Sequence, residues 1–243
     1  MTPSIDPPSA DPAVVAEAAG AVISVLALAS VPAPSAASSV APGPAPATTI
    51  RKRPKPGERR VQILQTLASM LEQPGADRIT TAALAARLEV SEAALYRHFA
   101  SKAQMFEGLI EFVEQSVFTL VNQIAERETD AITQAQKMLT VLLQFGEKNP
   151  GMTRVMVGDA LVFENDRLLA RMNQFFERIE SQLRQSLRAA AEAAGSATPT
   201  ADAQAQASVL TAFAVGRLQR YARSGFKRSP TEHLDVALRL MCS

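Results

Sequence analysis

The sequence predicts an all-α protein, and three observations predict it. Apolar residues make up 47% of the 243 positions while aromatics make up only 5%, with no Trp. Small and unbranched side chains therefore dominate, and these lose little rotamer freedom in a helix. From Glu58 onward apolar positions recur at spacings of three and four, and no stretch alternates as a strand would. The strong breakers, Pro74-Gly75 and the run Gly195 to Thr200, fall between periodic segments rather than inside them. The length suits one or two domains with a sizeable core.

Taken in order, residues 1–50 form a class of their own, rich in Ala, Pro and Ser and without a cation. Such a segment has little to bury and is expected to be disordered. Its apolar run, Ala13 to Val31, has the length of a signal-peptide core, but Asp6 and Asp11 precede it and no Lys or Arg does. Neither a cleaved signal nor a membrane anchor is expected. The chemistry then inverts, since Arg51 to Arg60 carries six cations and one anion. Pro54 and Pro56 keep this arm extended, so it could lie along phosphates or serve as a solvated tether.

Nine helices follow. The first spans Glu58 to Gln73, with Val61, Leu64, Leu67, Ala68 and Leu71 on one stripe. The second opens at Thr80-Thr81 and reaches about Leu88. The third opens at Ser91, with acidic Glu92 in its first turn, and ends near His98. A long fourth helix runs from Ser101 to about Arg127, its stripe Phe106, Leu109, Ile110, Val113, Val117, Leu120, Val121 and Ile124. Helices at Asp130 to Lys148, Pro150 to Phe163, Asp166 to Ala194, Ala201 to Ser224 and Thr231 to Met241 complete the chain, and no internal repeat is evident.

Several chemistries are excluded. One cysteine, Cys242, cannot form an internal disulfide, and His98 and His233 stand without metal-ligand spacing. No Gly-rich phosphate loop, nucleophile elbow or paired acid/base cluster is present, so no cofactor, metal or enzymatic activity is expected. Glu147, Asp159 and Glu164 read as solvated helix positions. The formal net charge of +1 conceals a basic arm beside an anionic tail, so near-neutrality is no argument against a polyanionic partner.

One constellation carries a function. Between Ile79 and Phe99 two short helices meet across Glu89-Val90, with Ala82, Ala83, Ala85 and Ala86 allowing close approach, which is the geometry of a helix-turn-helix. Leu84, Leu88, Val90 and Leu95 would form its shared core. Its second helix would present Ser91, Glu92, Ala93, Ala94, Tyr96 and Arg97 to a major groove. Ser91 and nearby N–H groups can hold a phosphate, and Arg97 can reach a guanine edge or a phosphate. Ala93 or Ala94 can meet a thymine methyl, while Tyr96, His98 and Lys102 have tips suited to phosphate oxygens. Thr80 and Thr81 at the start of the first helix complete the candidate set. Against this, Ala-rich helix pairs occur in many folds, Tyr96 could pack on the first helix, and a lone histidine is commonly a surface residue.

The run Tyr96-Arg-His-Phe99-Ala-Ser101-Lys102, behind three short helices and ahead of a helical body, resembles the TetR family of regulators. Further segments, RITTAALAARLEVSEAALYRHFASK (78–102), MFEGLIEFVE (105–114), FGEKNPGMTR (145–154) and MNQFFERIESQLRQSLR (172–188), are similar to a nucleoid-occlusion branch of that family. The resemblance covers about residue 58 to the C-terminus. It implies a TetR-like fold: an extension at 1–57, a helix-turn-helix head at 58–102 and a helical dimerisation and partner-binding body at 103–243. It also implies a cytoplasmic, nucleoid-associated homodimer that binds palindromic double-stranded DNA and antagonises the tubulin-like division protein FtsZ. Membrane binding and a small-molecule ligand are not expected. The chain departs from the pattern at Ala100, where Pro is common, in the extension, and between Ala189 and Gln206.

The body offers a candidate for the second partner. Met105 and Phe112 lie about 100 to 120 degrees from the fourth helix's main stripe, so they either pack on another body helix or line a docking groove. Asn149 is placed to cap a helix opening at Pro150, a cap that does not need Lys148. By resemblance, Phe112, Lys148 and Asn149 are the partner-binding candidates. Arg217, Arg220, Arg223, Lys227 and Arg228 cluster near a helix end, where cations favour the macrodipole. Dimerisation would use Val209, Leu210, Phe213, Leu218 and Tyr221 with Leu234, Ala237, Leu238 and Met241. The alternative function is a ligand-responsive transcriptional repressor, which needs a roomy pocket with a few polar groups.

Overall fold

A computed structural model describes residues 57–73 and 78–242. The expectations for residues 1–56, including the disordered extension and most of the basic arm, lie outside the described residues. Within them are nine α-helices and one 3-10 turn: α1 Glu58–Leu71, α2 Thr81–Arg87, α3 Glu92–Tyr96, α4 Lys102–Arg127, α5 Ala131–Lys148, α6 Pro150–Met156, the turn Asp159–Leu161, α7 Asp166–Ala193, α8 Pro199–Arg223 and α9 Leu234–Met241. No strand occurs among the described residues.

The starts of α2, α3 and α4 are dictated locally. Thr80, Ser91 and Ser101 are extended residues whose hydroxyls accept from the N–H groups of Ala83, Ala94 and Gln104, satisfying a donor that the helix itself cannot. Glu89, at φ 54°, supplies the left-handed residue of the turn between α2 and α3, a conformation few side chains adopt. Two bonds fix it: Glu89 N–H to the Ala86 carbonyl and Val90 N–H to that of Ala85. Leu84, Leu88 and Leu95 are buried beneath this turn and Val90 is half-buried.

Several predicted bounds are corrected. The helix expected at 150–163 stops at Met156, because Gly158 sits at φ 83° and its N–H bonds to the Val155 carbonyl, closing the helix. The final helix begins at Leu234 rather than Thr231, since His233 is left-handed at φ 53°. On α1 the buried stripe is Ile63, Leu67, Ala68 and Leu71, while Val61 is 47% exposed. On α4 the predicted stripe is buried from Phe106 to Val121, and Ile124 is packed against it.

The body is a layered helical bundle. α7 and α8 form the most extensive helix pair, joined by a short link and tied by Arg184 and Glu180 to Gln204. α5 packs against both and against α4. Phe118 of α4 meets Phe175 of α7 edge-on at 5.4 Å, a favoured aromatic geometry. α4 is also linked by charge to α7 and to the loop ahead of it. Lys102 pairs with Glu164 and Glu107 with Arg167, while Glu114 receives both Nε and Nη2 of Arg171 at 3.1 and 2.6 Å. The bidentate Glu114 pair holds the Arg171 guanidinium above its ordinary pKa.

Head and body meet at α1 and α6. A Cβ on Gly151 would lie 2.2 Å from the Ala68 carbonyl oxygen. Only glycine permits this backbone approach, so the first turn of α6 is seated directly on α1.

Candidate nucleic-acid interface and partner surface

The predicted DNA-contacting residues are gathered on one part of the head. Ser91, Glu92, Ala93, Tyr96, Arg97 and His98 are exposed and Ala94 is half-buried, with Tyr96 45% exposed. Tyr96, whose alternative reading was packing on the first helix, leaves nearly half of its surface exposed. Leu95 and Phe99 face inward and anchor the helix, each 1% exposed. Arg97 has no ion pair among the described residues, so its guanidinium is available to a base edge or phosphate.

Three members of the set, Thr81, Glu92 and Lys102, already have side-chain partners. The Thr81 hydroxyl donates to the Glu92 carboxylate at 2.6 Å, bridging α2 to α3 and fixing the angle between them. Lys102, predicted as a phosphate contact, donates to Glu164, whose side chain is only 10% exposed. Glu164 is therefore not the solvated position its sequence context implied. The loop after the 3-10 turn brings it back over the start of α4.

Arg60, expected as the last cation of the extended basic arm, lies instead within α1. Its guanidinium donates to the His98 carbonyl at 2.9 Å and stacks over the Phe99 ring at 4.1 Å. It closes the C-terminal end of α3 against α1. Its partners lie 38 positions away, so no local pattern could have indicated it.

The partner candidates also lie together, around the junction of α5 and α6. Met105 is fully buried, so it is core rather than groove. Phe112 is half-buried, with its ring 6.2 Å from that of Phe145 on α5. Asn149 does not cap α6 through its side chain. Its Nδ2 turns back and donates to the Phe145 carbonyl at 2.8 Å, so it closes α5 instead. Lys148 is exposed beside it.

Glu147 is likewise not a solvated position. Its carboxylate accepts from the hydroxyls of Ser229 and of Thr231, the latter at 2.6 Å. Its carbonyl accepts from the Tyr221 hydroxyl at 3.0 Å. Burial and the Glu147 and Glu72 carboxylates raise the Tyr221 pKa, which keeps that hydroxyl a donor.

The expected dimerisation set divides. Leu210, Leu218, Tyr221, Leu234 and Leu238 belong to the protomer's own core. The outward apolar residues are Val209, Val236 and Leu240, which are 57%, 48% and 76% exposed, with Phe213, Ala237 and Met241 half-buried beside them. The exposed apolar residues of α8 and α9 are therefore not the leucines that the sequence pattern suggested. Among the described residues no helix is long and apolar enough to cross a membrane.

Two family models match this architecture. "Bacterial regulatory proteins, tetR family" matches residues 63–109, and "Tetracyclin repressor-like, C-terminal domain", an SlmA-like type, matches residues 129–243. The fold is shared with the fatty acid degradation regulator FadR from Bacillus halodurans at TM-score 0.62, covering 78% of this chain and 97% of that one at 14% identity. These features define a DNA-binding regulator of the TetR class. Within that class, nucleoid occlusion factor SlmA of Photobacterium profundum is 53% identical over 182 residues, 74% of this chain and 92% of that protein. The SlmA of Aliivibrio fischeri is 52% identical over 187 residues, 75% and 93% of the two chains. The chain belongs to the SlmA family of nucleoid occlusion factors.

Proposed function

We propose that this protein is a homodimer that binds a palindromic chromosomal site through α2 and α3 and uses its body to inhibit assembly of FtsZ. It acts in the cytoplasm on the nucleoid. The observation that carries the reading is the co-occurrence, in one SlmA-family chain, of an exposed α3 whose Arg97 has no ion pair among the described residues and a half-buried Phe112 packed on Phe145 of the helix that ends in Lys148 and Asn149. The first surface suits a duplex. The second suits a peptide segment, since it combines an accessible aromatic with a cation and an amide at one helix junction. The residues at 58–102 would serve as the DNA-binding unit and those at 103–243 as the dimerisation and partner unit. The apolar face of Val209, Val236 and Leu240 supports the dimer, because isologous pairing across α8 and α9 would cover it.

The test is light scattering of purified FtsZ polymers with the full chain, with and without a short palindromic duplex. Reduced scattering that deepens with the duplex is expected. Unchanged assembly under both conditions would sink the inhibitor reading and return the protein to the ligand-responsive repressors.

A further inference from the structure

Beyond Lys148 the cationic surface continues on a different part of the chain. The turn that follows α8 carries Arg223, Lys227 and Arg228, all exposed, and none of these three nor Lys148 is ion-paired among the described residues. Cations at a helix C-terminus need no partner to be explained, but this turn is more than a frayed end. Its backbone is clamped: the N–H groups of Lys227 and Arg228 both donate to Ser224 Oγ at 3.1 and 3.0 Å. Phe226 is held at φ 63°, a left-handed conformation that is an outlier for a bulky side chain and survives only where surroundings enforce it. The enforcing contacts are an edge-on Tyr221 ring at 5.2 Å and the Arg154 guanidinium 5.7 Å from the Phe226 ring.

The same turn is fastened to the partner surface. Tyr221, Ser229 and Thr231 all bond to Glu147, the residue next to Lys148, and Arg154 lies on α6 just beyond Asn149. Phe112 packs 6.2 Å from the buried Phe145 of α5, the same helix ends in exposed Lys148, and the turn is bonded to Glu147, so Phe112 and these cations are gathered around one end of α5. The recognition helix lies elsewhere. Arg60 at the start of α1 touches α3, whereas Gly151 seats α6 on Ala68 and Glu72 toward the other end of α1. At 1.5 Å per residue Arg60 lies about 12 Å along the helix from Ala68 and about 18 Å from Glu72, which places the basic turn nearer the partner surface than the groove-reading residues.

We propose that the turn from Arg223 to Ser229 is the cationic half of the partner-binding surface and receives an acidic, extended segment of FtsZ, an apolar residue of which packs at Phe112. This rests on the reading of Phe112, Lys148 and Asn149 as a partner surface. Rigidity matters here, because a pre-shaped turn loses little freedom when a flexible tail docks. Unpaired exposed cations give such docking its rate and its salt dependence.

The experiment compares the full-length protein with R223E/K227E/R228E, its neutral counterpart R223Q/K227Q/R228Q, and K148E. Each is measured for binding to purified FtsZ by fluorescence anisotropy from low to high salt, and for gel-shift affinity toward a palindromic duplex. The expected result is a loss of roughly tenfold in FtsZ affinity at low salt for the charge reversal, a smaller loss for the neutral form, a flatter salt dependence in both, and unchanged DNA affinity. Wild-type FtsZ affinity and salt slope in the charge-reversed protein would overturn the proposal, whatever K148E does. K148E reports separately on the surface itself, since its retention of full FtsZ binding would remove Lys148 from that surface. Loss of duplex affinity with FtsZ binding intact would overturn the proposal in favour of phosphate contact. All three positions are exposed, so matching thermal melts are expected throughout.

Discussion

The head and the α5–α6 junction are built by opposite means. In the head the helix starts are set within three residues of their own caps, by Thr80, Ser91 and Ser101. The functional side chains then project from short helices anchored by Leu84, Leu95 and Phe99. At the junction the Asn149 amide closes α5 locally, on the Phe145 carbonyl, but the other fastenings are distant in sequence. Glu147 is fixed by residues 74 to 84 positions away, and Phe112 and Phe145 meet from two different helices. A base-reading helix needs a fixed shape and free tips, which a capped short helix supplies by itself. A peptide-docking surface needs walls from several elements, which only the assembled body supplies.

If that contrast is right, the largest effect belongs to the seam where the body is seated on the head. Gly151→Ala would drive its methyl to within 2.2 Å of a backbone oxygen that has no rotamer in which to escape. We expect a stability loss of about 3 kcal/mol, read as a lower midpoint in urea. Gly108→Ala is the control. Its Cβ would meet only the Leu64 methyls at 3.0 and 3.1 Å, and these belong to a side chain that can give. Equal losses for the two would mean that α6 does not depend on close seating against α1.

The next effect separates function from stability in the head. Arg97 is exposed and unpaired, so Arg97→Ala should leave the melt unchanged while weakening the specific duplex by roughly 1 to 3 kcal/mol if it reads a base. FtsZ inhibition measured without DNA should be untouched. A gel shift with unaltered affinity would remove α3 from the groove.

The contrast also explains what the sequence made legible. The head was nearly complete from its pattern because caps, turn and core repeat at spacings of three and four, and Arg60 escaped because its role is made by contacts 38 positions distant. In the body, helix periodicity was legible but the assignment of faces was not. Periodicity shows that Leu210 and Val209 lie on adjacent faces of α8, but not which of them meets the protomer's own core. Asn149-Pro150 shows the same limit. The pair does mark a helix start, yet the amide serves the helix before it. Carboxylates were the least legible class, since nothing near Glu147 or Glu164 in sequence announces Ser229, Thr231 or Lys102.

The smallest expected effect lies where the two construction principles meet. Lys102 stands at the first position of α4, on the head side, and a body loop supplies its counter-ion, Glu164. If Lys102 contacts phosphate, that contact competes with this carboxylate, and the pair would act as a brake on DNA affinity as well as a link to the loop ahead of α7. Glu164→Gln keeps the shape of the side chain and removes its charge. We expect duplex affinity to rise by about two- to fivefold at low salt, the range that partly exposed pairs span. The decline of affinity with salt should steepen by up to about one phosphate equivalent. Lys102→Ala should shift both quantities in the opposite direction and to a similar degree across duplex sequences, because a phosphate contact carries no base information. An unchanged salt slope in Glu164→Gln, with Lys102→Ala still weakening binding, would show that Lys102 reaches phosphate without leaving Glu164, and the body would then have no electrostatic hold on the head at this point.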